Sequence, residues 1–167
     1  MKKSIYYLIL LVLIVLPIMA CQHDNENIDK PAYSSFISGI KNVLPNGWEM
    51  EVIDQKGAME PPHGLEEPLF RIDFVDHTHQ FIDEGGRAIF PSSRLYFYDI
   101  GNKDSIMQTI ESEAIYSWDI PEYFDETFEY IVVTSPLYIN SGHYSDEAMA
   151  LYQPLDNALK EYFKQYR

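Results

Sequence analysis

The chain of 167 residues has one cysteine, and between Asp104 and Leu159 it has no lysine or arginine at all. A single Cys excludes an intrachain disulfide framework and any zinc site built from several thiolates. Only eight glycines and ten prolines are present beside 14% aromatic residues, which excludes a collagen-like or disordered chain. No Gly-x-Ser-x-Gly occurs, so a nucleophile elbow is missing. No glycine loop followed by Lys-Ser/Thr is present to cradle phosphates. No internal repeat is visible either.

Long apolar runs are equally scarce, with one exception. Lys2 and Lys3 precede an apolar run of 12 residues from Ile5 to Leu16, followed by Pro17 and the small Ala20. A charged start, an apolar middle and a compact cleavage region make an export signal. A spanning helix needs about 20 apolar residues, more than this run supplies. Ile18-Met19-Ala20-Cys21 resembles the lipobox of bacterial lipoproteins. That resemblance implies cleavage before Cys21, a diacylglyceryl thioether on its thiol and acylation of the freed amine. Two or more acyl chains anchor stably, because each buried CH₂ contributes about 0.8 kcal/mol. In enterobacterial lipoproteins, which the lipobox resembles, a residue such as Gln22 rather than Asp after the Cys implies routing to the outer membrane. The stretch from Gln22 to Asn27 resembles the acidic export tag of surface lipoproteins in Bacteroidota, and its composition equally fits a solvated linker. The expected division is a signal over 1–20, lipidated Cys and tether over 21–31, and one α+β domain over 32–167.

Loss of Lys2 and Lys3 with the signal leaves a net charge of −16. Such a field repels phosphates and excludes nucleic acid as a partner. The region from Asp104 to Leu159 holds 11 Asp and Glu. It reads either as a solvated acidic surface or as a face for a cationic partner.

Along the domain, Tyr33, Phe36, Ile37, Ile40, Val43 and Leu44 fall at helical spacing, and Pro45-Asn46-Gly47 stops the helix. Alternation over Trp48–Ile53 and Phe70–Phe74 predicts two strands, and residues 94–100 and 129–134 predict two more. Residues 54–68 and 76–93 read as loops. Asp104 can cap a helix carrying Ile106, Met107 and Ile110. Leu151, Leu155, Leu159, Tyr162 and Phe163 lie on one side of a C-terminal helix, which Pro154 is expected to kink or split. The order α-β-β-β-α-β-α predicts a small antiparallel sheet of about four strands with helices on one face.

Three groups of residues suggest chemistry. His77 and His79 share a face if the second strand reaches them, and Asp73 could complete a metal site. Asp99–Asp104 lacks the ligands of a calcium loop and reads as a capped turn. The segment from Ile115 to Phe128 interleaves aromatics with acids and contains no basic residue. Its Tyr116, Trp118, Tyr123 and Phe124 suit sugar rings or a cationic peptide, and they suit a core-tucked loop as well.

No catalytic residue and no cofactor is implied. The expected protein is a lipid-anchored, non-catalytic binding or accessory component of a bacterial envelope. Its membrane partner is reached through Cys21, and its ligand is a cationic protein or peptide, or a carbohydrate. Two alternatives stay open. One is an immunity or inhibitor protein whose acidic face binds a basic toxin or enzyme. The other is an envelope hydrolase using loop carboxylates or a His77/His79 metal.

Overall fold

A computed structural model describes residues 30–82, 86–113, 121–134 and 146–167. The chain divides into two compact units, Met1–Ser35 and Phe36–Arg167; the sheet and its packing belong to the second. Helix α1 spans Lys30–Val43 and ends where Pro45 and Gly47 turn the backbone into strand β1, Trp48–Ile53. Gly47 has φ +92°, and a Cβ there would stand 2.3 Å from Thr78 Oγ1, so only glycine fits. Strand β2, Phe70–Asp76, is followed by a two-stranded hairpin, β3 (Phe81–Ile82) with β4 (Ala88–Ile89). Strand β5 covers Ser92–Asp99 and runs through a 3-10 turn into helix α2, Lys103–Glu113. Strands β6 (Glu122–Glu126) and β7 (Tyr130–Thr134) precede helix α3, Asp146–Phe163.

The main sheet has five strands in the order β1-β2-β5-β7-β6, all neighbours antiparallel. This is an α+β fold, as the sequence predicts, with a fifth strand and an extra hairpin. The fifth strand is β6, inside the segment expected to be an aromatic–acidic loop. The hairpin β3–β4 lies inside the connection from 76 to 93.

Register assigns the side chains to two faces. Phe70, Ile72, Phe74, Leu95, Phe97, Tyr130 and Val132 share one face. There Phe36 of α1 and Phe163 of α3 close over Phe97, at 6.0 and 6.1 Å between ring centres. Tyr162 donates its hydroxyl to the Phe36 carbonyl at 3.0 Å and ties the two helices together. Tyr96, Tyr98, Ile131 and Val133 lie on the opposite face, where they form a smaller core with Ile106 of α2. The expectation of helices on one face therefore holds for α1 and α3, while α2 packs on the other. The turn after β5 directs it there, with Asp99 accepting from the Gly101 N–H at 2.7 Å.

Pro154 neither splits α3 nor ends it; the helix runs from Asp146 to Phe163 across it. Leu155, Leu159 and Phe163, each at most 1% exposed, hold that segment against the sheet. Their burial outweighs the one backbone hydrogen bond that Pro154 cannot donate.

Candidate functional site

The residues with the richest chemistry meet where edge strand β6 passes the C-terminal half of α3. Strand β6 exists because its turn is well made. Thr127 Oγ1 accepts the N–H of Tyr130 at 3.0 Å, and the Thr127 N–H reaches the Tyr130 carbonyl at 2.8 Å. The chain therefore returns after three residues, and β6 pairs along β7. The register shifts between Tyr123 and Asp125. Such a bulge re-aims side chains, and Phe124 faces α3, 6.2 Å from the Phe163 ring.

Lys160 Nζ stands 5.0 Å from the centre of the Phe124 ring, a cation–π contact. Asp125 is 2% exposed; it accepts from Arg167 and from the Glu126 N–H. Its Oδ2 is buried and has no hydrogen-bond donor among the described residues. Lys164 pairs with Glu161 at 2.8 Å, and that hydrogen bond holds the Glu161 carboxyl below its ordinary pKa. Tyr123 is 41% exposed. Partial burial pushes its phenol pKa up, and the charges of Glu126 and Asp125 add to the rise. On the other side of β6, Lys103 pairs with Glu126 and fastens the strand to α2.

Between the two elements runs a groove of about 510 Å³. Its walls are Tyr123, Phe124 and Asp125 from β6, with Asn157, Lys160, Glu161, Lys164 and Arg167 from the helix and the turn after it. Three of the twelve Lys and Arg in this acidic chain meet there. Each keeps donors beyond its present partner, since an ammonium has three and a guanidinium five. Beside it, burial raises the pKa of Asp156 while the Lys160 charge opposes the rise.

Of the four residues expected to bind ligand, Tyr123 and Phe124 line this groove, and Tyr116 and Trp118 lie outside the described residues. Asp125, Asn157, Lys160, Lys164 and Arg167 were not expected there. Asn157, Lys160, Lys164 and Arg167 recur at helical spacing along one side of α3 and the turn after it, but which strand that side faces is a long-range fact.

The expected metal ligands are not brought together. Strand β2 stops at Asp76, whose Oδ1 accepts the Thr78 N–H at 2.7 Å and the Thr78 hydroxyl at 2.6 Å. That turn removes the strand alternation on which the pairing of His77 with His79 depended. Asp73 is held by Arg71, with Oδ1 at 2.7 Å from Nε, and by Arg94 at 3.6 Å. His77 stands 3.9 Å from Glu49, while His79 Nδ1 lies 2.6 Å from Asp76 Oδ2. Among the described residues no group of three or more His, Cys, Asp or Glu is arranged to hold a metal ion. Nor is any helix there long and apolar enough to cross a membrane.

No protein-family model, curated protein or solved structure matches the chain.

Proposed function

We propose that this chain is a lipoprotein of a bacterial envelope, moored by acyl chains on Cys21, and that its domain is a non-catalytic binding module. Its ligand lies in the groove between β6 and α3. The observation that carries this reading is the convergence of Tyr123 and Phe124 with Asn157, Lys160, Lys164 and Arg167 from an element more distant in sequence. Aromatic surface, an amide and cations around one recess are what a polar ligand needs for orientation and contact area. Glu161 in its wall is held in place by its ion pair with Lys164 at 2.8 Å. The lipobox at Ile18–Cys21 supports the anchor.

Two measurements test the two halves of this reading. Labelled palmitate is expected to enter the wild-type protein in its host and to be lost in Cys21→Ala. A thermal-shift screen of neutral glycans, acidic glycans and peptides is expected to find a ligand that raises the melting temperature, since a ligand of the native state alone stabilises it. The shift should shrink in Tyr123→Ala and Lys160→Ala. Shifts of wild-type size in both variants would remove the groove from the function.

A further inference from the structure

On the other face of the sheet, a recess of about 340 Å³ lies between helix α2 and the loop that precedes β2. The loop contributes Leu65, Glu66 and Glu67, and β5 contributes Tyr98. Asn102, Ser105, Ile106 and Thr109 come from the helix and the turn before it. The loop is fastened there because Leu65 packs on the small core and the Met59 carbonyl accepts from Arg71 at 2.6 Å. The recess shares no residue with the groove beside β6.

Tyr98 is the residue that marks it. It is 4% exposed, and its hydroxyl is buried with no hydrogen-bond partner among the described residues. Its ring stands in the small core with Ile106, on the face that the recess overlies, so the hydroxyl at the far end of the ring is turned towards the floor of the recess. Burial pushes its pKa up and keeps it a neutral group that both donates and accepts. Buried polar groups nearly always have a partner, and an exception asks for one supplied from outside.

The walls decide the charge of that partner. Glu66 and Glu67 are exposed; Glu67 accepts from the Gly57 N–H, and neither has an ion-pair partner among the described residues. No Lys, Arg or His lines the recess. In the groove beside β6, Lys164 and Arg167 already pair with carboxylates, whereas here the carboxylates have no counter-charge. The dipole of α2 favours anions at its start, but Asp104 in its first turn offsets that. An anion would meet both carboxylates, in a chain of net charge −14. A divalent metal wants more ligands than two carboxylates, and no group of three or more His, Cys, Asp or Glu is arranged for one among the described residues. An uncharged apolar molecule would desolvate Asn102, Ser105 and Thr109. A small organic cation suits every wall. Its stem can lie on Leu65 and Ile106, while acceptors stand on the loop, on the helix and below. Three tetrahedral N–H groups match acceptors spread in that way better than the planar fork of a guanidinium does.

We propose that the recess between α2 and the loop before β2 binds an alkylammonium ion, its stem on Leu65 and Ile106 and its N–H groups on Glu66, Glu67 and the Tyr98 hydroxyl.

Calorimetric titration of the full chain in detergent tests this with pentylamine, 1-pentanol and pentanoate, which share a stem and differ in charge. Pentylamine is expected to bind at least about tenfold more tightly than pentanol, and pentanoate not at all. Glu66→Gln combined with Glu67→Gln should weaken pentylamine about tenfold, and Tyr98→Phe about fivefold. Tyr98→Phe should leave the melting temperature of the free protein unchanged or raise it, because it removes a hydroxyl without a partner. Nα-acetyl-lysine amide distinguishes two sources of the same group. Affinity equal to that of pentylamine indicates a lysine side chain of a peptide and much weaker binding a free amine, and both sustain the site. Equal affinity for pentanol, binding of pentanoate or no binding of pentylamine would overturn the assignment. So would pentylamine affinity unchanged in the double Glu variant. A lower melting temperature in Tyr98→Phe with unchanged pentylamine affinity would also overturn it, by showing that the hydroxyl serves the core.

Discussion

The two faces of the sheet are built by different rules. On one, Phe70 stacks on Phe97 at 4.4 Å between centres. Phe36 lies within 6.0 Å of Phe97, Tyr130, Tyr162, Phe163 and Tyr166. Two helices cover that face, and its aromatic side chains are nearly all excluded from water. Among the described residues the other face is covered by α2 and the loop before β2, and its apolar cluster consists of Tyr96, Tyr98, Ile106, Ile131 and Val133 with a few half-buried neighbours. Farther along the same face stand Arg71, Asp73 and Arg94, with Glu49 and Glu51 exposed on edge strand β1. A sheet needs a hydrophobic layer only where another element covers it. On this face Arg71, Asp73 and Arg94 form paired charge beside the small core.

The sharpest break in that comparison comes from emptying each core in turn. Phe97 is fully buried and central to the ring cluster, so Phe97→Ala should cost about 3–5 kcal/mol, the usual range for a buried Phe. Ile106 is 5% exposed, in a thinner layer that can relax. Ile106→Ala should cost about 2–3 kcal/mol, at the lower end for its type. Urea denaturation of both variants measures the difference; an equal cost would mean that the two faces share one core.

The aromatic face was the more legible in sequence. The stripe of Phe36 and Ile40, the alternation of Phe70, Ile72 and Phe74, and the run of Leu155, Leu159 and Phe163 each announce one buried side. All eight are at most 4% exposed. The charged face was less so, because Arg71 and Asp73 read as the solvent side of an alternating strand. Their partners are a carbonyl in the preceding loop, Met59, and a side chain on another strand, Arg94. Strand β6 was missed for a related reason. Glu122–Glu126 is acidic at three of five positions, and only its hairpin pairing with β7 makes it a strand. Lys160, Lys164 and Arg167 fall at the end of the C-terminal helix, where its dipole favours cations. That Lys160 faces Phe124 depends on that same pairing.

The middle-sized test concerns the charged face itself. Asp73 stands between two guanidiniums, and Arg71 is 6% exposed, with Nη1 donating to the Met59 carbonyl at 2.6 Å. Asp73→Ala leaves that buried guanidinium without its counter-charge and beside Arg94. The full loss for a buried pair is about 3–5 kcal/mol; with Asp73 partly exposed, about 2–3 kcal/mol is expected. The double variant Arg71→Met with Asp73→Leu should recover more than half of this, since an apolar pair of similar volume removes the desolvation cost. Thermal or urea unfolding of the single and double variants decides it. If the double variant is no more stable than Asp73→Ala, the ion pairs stabilise the fold on their own account.

The smallest expected effect asks how the helical face tolerates its own carboxylate. Asp76 follows Phe74 on the aromatic side of β2 and is 1% exposed, yet no guanidinium accompanies it. Burial raises its pKa, but hydrogen bonds from the Thr78 hydroxyl, His79 and the Thr78 N–H outweigh that and hold it below its ordinary value. A folded-state pKa below the unfolded one means that the unfolded chain takes up the proton more readily. The stabilisation is therefore present above the unfolded value, about pH 3.9, and is lost as pH falls through the folded one. Asp76→Asn keeps the shape but weakens these charge-assisted bonds, and should cost about 1–2 kcal/mol at neutral pH. Its cost should shrink steadily below pH 4, where the wild-type carboxylate begins to be protonated as well. Unfolding free energies of both proteins between pH 3 and pH 7 measure this. A cost independent of pH would show that Asp76 serves the turn by shape alone.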